Sequence, residues 1–116
     1  MRITFTDRLS ARTTNEGSAI SVVAKFWDDA TETWTANTPT TVHYRLDNAD
    51  DTQITDWTSV SAASSVTISL TGTQNAIVSD CLDYETKQLT VQANRGLSTQ
   101  YQDTFAYKVR NLVGQT

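Results

Sequence analysis

The sequence predicts an all-β fold: a single antiparallel β-sandwich, Ig-like or fibronectin-III-like, of about seven strands within residues 1–116. Threonine, β-branched and suited to the solvated face of a pleated sheet, recurs along the whole chain. Short apolar runs alternate with polar residues at period two, and no segment sustains an apolar repeat at helical spacing. The nearest, "TQNAIVSDCLDYE", holds one short turn at most. One buried and one wet face per strand is the pattern of antiparallel sheets packed face to face.

The strands are expected at residues 3–6, 19–27, 41–46, 54–60, 65–71, 87–94 and 104–112. The second places Ile20, Val22, Ala24 and Phe26 on one face, and the third does the same with Val42, Tyr44 and Leu46. Val66, Ile68 and Leu70 follow, then Leu89, Val91 and Ala93, then Phe105, Tyr107 and Val109. Turn residues at "NADD", "TGTQN" and "NRGLS" punctuate the series. A small barrel is the competing architecture. With one cysteine, the Cys–Trp–Cys arrangement of antibody domains is absent, so the expected likeness is to the architecture only.

A chain of 116 residues forms one domain with one core, and three Trp, four Tyr and three Phe make it too aromatic for disorder. The lone cysteine removes internal disulfides and Cys-pair metal motifs. A net charge of −4 without a basic stripe argues against nucleic acid and anionic membrane as partners. The opening "MRITFTDRLSA" lacks the apolar segment of a secretion signal, so cytoplasmic synthesis without export is expected.

Several groups invite a functional reading. Asp80, Asp83 and Glu85 surround Cys81, and oxygen ligands so spaced could hold Ca²⁺, but the glycine-bearing loop of a known calcium motif is missing. A solvated loop feeding a strand explains them, with Ile77 and Leu82 against the end of the core and Cys81 as a small buried hydrophobe. Asp47, Asp50 and Asp51 read as turn residues that bond their own backbone. The only histidine, His43, falls out of phase with Val42 and Tyr44 and has no nucleophile beside it. No metal, cofactor or catalytic residue is therefore assigned.

The aromatics are more informative. Trp27 lies on the face opposite Phe26, and nothing local demands burial of Trp34, whereas Trp57 is expected to pack. Exposed Trp anchors partners or stacks on sugar rings. The polar run "DRLSARTTNEGS" at about 7–18 is long for a hairpin connection and reads as a loop or an arm carrying Arg8 and Arg12.

"TFTDRLSARTTNEGSAISVVAKFWD", "TTVHYRLDN", "DWTSV", "SSVTISLTGTQNAI" and "ETKQLTVQANRG" running to "FAYKVRNL" form one layout that covers nearly the whole chain. It resembles the small Ig-like or fibronectin-like virion proteins of tailed bacteriophages and prophages. The "TTNEG" turn and the closing "YKVRNL" weigh most in the resemblance. It implies a non-enzymatic structural protein of the virion, made in the host cytoplasm. Such domains decorate capsids or sit at the head–tail junction or on tails, in many copies against other virion proteins. A shared fold does not choose among those surfaces. With this role, Arg8 and Arg12 would bind carboxylates of a neighbouring subunit, with Trp27 and Trp34 as the further partner-binding candidates. The competing class is a carbohydrate-binding or adhesion sandwich, for which Trp27, Trp34 and Trp57 would have to form one platform.

Overall fold

The computed structural model describes residues 1–7, 9, 12–29, 33–48, 53–76 and 84–110. Its elements are β1 (Arg2–Asp7), β2 (Thr13–Asn15), β3 (Ile20–Asp28), β4 (Thr35–Ala36), β5 (Val42–Asn48), β6 (Gln53–Val60), β7 (Ser65–Leu70), β8 (Tyr84–Ala93) and β9 (Tyr101–Arg110). There is no helix among the described residues. The seven expected strands are all present, joined by the short β2 and β4.

The strands form two sheets. In the first, β3 is central: β1 pairs along one side, with Ile3 opposite Phe26 and Phe5 opposite Ala24. On its other side β7 sets Ile68 against Val22, and β4 pairs with the end of β3 at Trp27 and Asp28. The second sheet runs β2-β9-β8-β5-β6, antiparallel except for β2, which lies parallel to β9. An Ig-like sandwich keeps its second and fifth strands in one sheet and its third, sixth and seventh in the other; counted over the seven expected strands, this chain does the same, with β3 and β7 in the first sheet and β5, β8 and β9 in the second. Its N-terminal segment divides, β1 joining the first sheet and β2 the second.

Strand phase explains the core. Ile20, Val22, Ala24 and Phe26 of β3 and Val66, Ile68 and Leu70 of β7 point inward. They meet Val42 and Leu46 of β5, Leu89, Val91 and Ala93 of β8, and Phe105, Tyr107 and Val109 of β9. Tyr44 is only partly buried at its margin.

The expected loop or arm at about 7–18 is built differently. Thr13–Asn15 is a strand, and the Lys108 N–H donates to the Arg12 carbonyl (2.8 Å) while the Glu16 N–H donates to that of Arg110 (2.9 Å). Extended threonines beside an otherwise open edge of β9 satisfy its backbone groups, which would stay unpaired if this stretch projected into water. The chain then turns at Gly17 (φ 74°) against the turn at 71–76. A Cβ at Gly72 would stand 2.3 Å from the Gly17 carbonyl oxygen, so this approach requires glycine. The contact holds Asn75 and Ala76 beneath the ends of β8 and β9.

Candidate functional site

Two clusters stand apart from the ordinary sandwich. The first is an aromatic corner on the β1–β3–β4 sheet. Trp27 lies on the outer side of β3, half-buried, and its Nε1–H donates to Thr4 Oγ1 on β1 (2.9 Å). The β3–β4 pairing brings Trp34 back over it, with ring centroids 6.4 Å apart and planes inclined by 46°. Trp34 stays 44% exposed, and the Arg2 guanidinium carbon sits 4.6 Å from its ring centroid, a cation–π distance. Arg2 Nε also stands 3.7 Å from Asp29 Oδ2. The hydrogen bond from the Met1 ammonium (3.1 Å) holds the Asp29 carboxyl below the usual carboxylate range, against a smaller opposing effect of desolvation.

Arg12 is not part of this corner. It has φ 52° where the chain crosses between sheets, and its guanidinium carbon lies 4.8 Å from the Phe105 ring centroid. Arg8 lies outside the described residues, so of the four residues singled out for partner binding Trp27 and Trp34 are the two found together. Trp57 is on β6 in the opposite sheet, with the Arg95 guanidinium 4.9 Å from its centroid, so the three tryptophans do not make a single platform.

The acidic groups also differ from expectation. Asp47 is not a turn residue; it lies in β5, where Arg45 Nε donates to both carboxylate oxygens at 2.9 and 3.0 Å. Asp50, Asp51, Ile77, Asp80, Cys81, Leu82 and Asp83 lie outside the described residues. Among the described residues, no group of three or more His, Cys, Asp or Glu is arranged to hold a metal. His43 is opposite Gln92, and its buried Nδ1 and Gln92 Oε1 have no hydrogen-bond partner.

Glu85, expected in a loop, is instead a buried β8 residue in the second cluster, at the inner end of the larger sheet. It shares a strand face with Lys87, two residues on, and with Leu89 and Val91 beyond. Lys87 is fully buried and spends its three ammonium protons on Glu85 Oε1 (2.6 Å), Asn48 Oδ1 (2.7 Å) and the Ala76 carbonyl (2.8 Å). Register sets this up, since Asn48 on β5 and Tyr107 on β9 stand directly opposite Lys87. Tyr107 donates to Asn75 Oδ1 (2.6 Å), and Asn75 Nδ2 donates to the Ser18 carbonyl (2.7 Å). Burial pushes the Tyr107 phenol well above its ordinary value of 10.0.

Sequence reasoning missed this cluster because Lys and Glu are almost never core residues unless paired. The signal was their phase, since Glu85 and Lys87 continue the inward series of Leu89, Val91 and Ala93 backwards by twos. Comparison with models of known protein families, with curated proteins and with solved structures finds no match to this chain. The two clusters are therefore read on their own chemistry.

Proposed function

We propose that this chain is a non-enzymatic structural subunit of a tailed-phage virion, a capsid decoration or head–tail accessory protein that binds other virion proteins in many copies. The sequence resemblance described above supports the setting, and the Ig-like sandwich is the fold it implies. The observation that carries the binding part is the aromatic corner, where Arg2, Trp27 and Trp34 come together with Trp34 substantially exposed. Binding hot spots are enriched in Trp and Arg, because a rigid ring and a planar cation bury large areas at small entropic cost. On a symmetric lattice, many such weak contacts act together.

The test is co-sedimentation with capsids or tails assembled from the products of the genes that flank this one. The wild-type chain should pellet with one of them, and Trp34→Ala should weaken the contact about ten-fold or more without loss of fold. Flanking genes for polysaccharide metabolism, together with saturable quenching of tryptophan fluorescence by a glycan, would replace this reading with a carbohydrate-binding module. Undiminished pelleting of Trp34→Ala would remove the corner from the interface.

A further inference from the structure

We propose that the folded chain joins Lys87 to Asn48 through an intramolecular isopeptide bond, with Glu85 moving the protons. The three residues that such a reaction needs are a primary amine, a carboxamide and a carboxyl group in contact with the amine. All three are buried here, at 0%, 3% and 8% exposure for Lys87, Asn48 and Glu85. Lys87 Nζ is 2.7 Å from Asn48 Oδ1, and since an amide C=O bond is about 1.23 Å long, Nζ stands no more than about 3.9 Å from Asn48 Cγ. Reacting atoms held at about 3–3.5 Å form a near-attack arrangement, and a small rotation of the Asn48 amide closes the difference. The cross-strand register of β5 and β8 and the bond to the Ala76 carbonyl hold the amine in place.

The chemistry balances without an added reactant. Glu85 takes a proton from the Lys87 ammonium across their 2.6 Å hydrogen bond, leaving a neutral amine and a neutral acid, the forms a water-poor site tolerates best. The Nζ lone pair attacks Cγ, forming the N–C bond as the C=O π pair moves onto Oδ1. Glu85 then receives a proton from Nζ and delivers one to Nδ2. The oxygen pair returns to restore C=O, the Cγ–Nδ2 bond breaks, and NH₃ departs. Glu85 ends protonated, a donor for the new amide, so a buried ion pair becomes a neutral hydrogen-bonded amide. The same burial keeps water from hydrolysing the product.

The test is the intact mass of the purified full chain after prolonged incubation in native buffer, followed by tandem mass spectrometry of its proteolytic peptides. The wild-type chain should be about 17 Da lighter than its sequence, the loss of one NH₃, with a branched peptide joining residues 48 and 87. Lys87→Arg and Glu85→Gln should each keep the full sequence mass, the second because an amide of the same shape cannot take up the proton. A wild-type chain at full mass overturns the proposal. So does a deficit that persists in Lys87→Arg, which would mark a cyclic imide at Asn48. Should either variant fail to fold, the presence or absence of the branched peptide in the wild-type digest decides alone.

Discussion

Lys87 and Trp34 exchange the places that hydropathy would give them. Lys87 is fully buried at the inner end of the β5–β8–β9 sheet, while Trp34 is largely exposed at the β1–β3–β4 corner. Position in the sheet accounts for both. Lys87 continues the inward series of β8, so its side chain enters the sandwich whatever its charge, and Glu85, Asn48 and Ala76 satisfy it there. Trp34 precedes a two-residue strand that pairs with the end of β3, and among the described residues its ring meets Trp27 and Arg2 at the edge of the sheet. Burial in this fold follows strand phase and cross-strand register first and side-chain polarity second.

The largest expected effect tests that contrast directly. Measured against wild-type chain that still has its full sequence mass, with Lys87 and Asn48 unjoined, Glu85→Ala leaves Lys87 buried without its carboxylate and should lower unfolding free energy by about 3–5 kcal/mol in urea melts at neutral pH. Trp34→Ala, although it deletes the larger and more apolar side chain, should cost no more than about 1 kcal/mol, the worth of an exposed ring contact. Equal losses would mean that the Lys87 end is wet and that the two regions do not differ in kind.

Most of the sandwich was legible because its strands alternate cleanly, as in β7, where Val66, Ile68 and Leu70 are buried and Ser65, Thr67 and Ser69 are exposed. Thr13–Asn15 was not legible as a strand, since its pairing is parallel and its partner lies over ninety residues away in sequence, at Lys108 to Arg110. Two-residue β4 carries no periodicity at all, yet it is what returns Trp34 to Trp27. The prominence of Trp27 and Trp34 could be read from the sequence, whereas their contact with each other and with Arg2 depends on that return. For Glu85 and Lys87 the phase was visible but charge argued the other way, and only the identities of the facing residues resolve the conflict.

A finer test compares neighbours within one strand. Phe26 is fully buried among the two sheets and Trp27 is half-buried on the outer side. Phe26→Ala should cost about 3–5 kcal/mol through the cavity it leaves. Trp27→Ala should cost about 1–2 kcal/mol, for part of a ring's burial and the hydrogen bond to Thr4. If Trp27→Ala matched Phe26→Ala in denaturant melts, the outer side of β3 would be as closed as the core, and the corner would not be an open surface.

The smallest effect sharpens the other half of the comparison, the enclosure of the polar end, and it is read through pH. Tyr107 is 1% exposed and donates to Asn75 Oδ1, and burial raises its phenol above the ordinary value of 10.0. In the unfolded chain the phenol ionises near pH 10, whereas the folded chain keeps it protonated. Above pH 10 the unfolded state therefore binds fewer protons than the folded one, and stability must fall as pH rises, by up to about 1.4 kcal/mol per pH unit from this group. Tyr107→Phe should cost about 1 kcal/mol at neutral pH, because Asn75 loses a donor, and should decline less steeply than wild type above pH 10. The gap between the two proteins then narrows as pH rises, a change that urea melts at pH 8 and above pH 10 can resolve. Parallel declines would show that Tyr107 ionises as readily in the folded chain as in the unfolded one, which requires water at the phenol and contradicts a sealed site around Lys87.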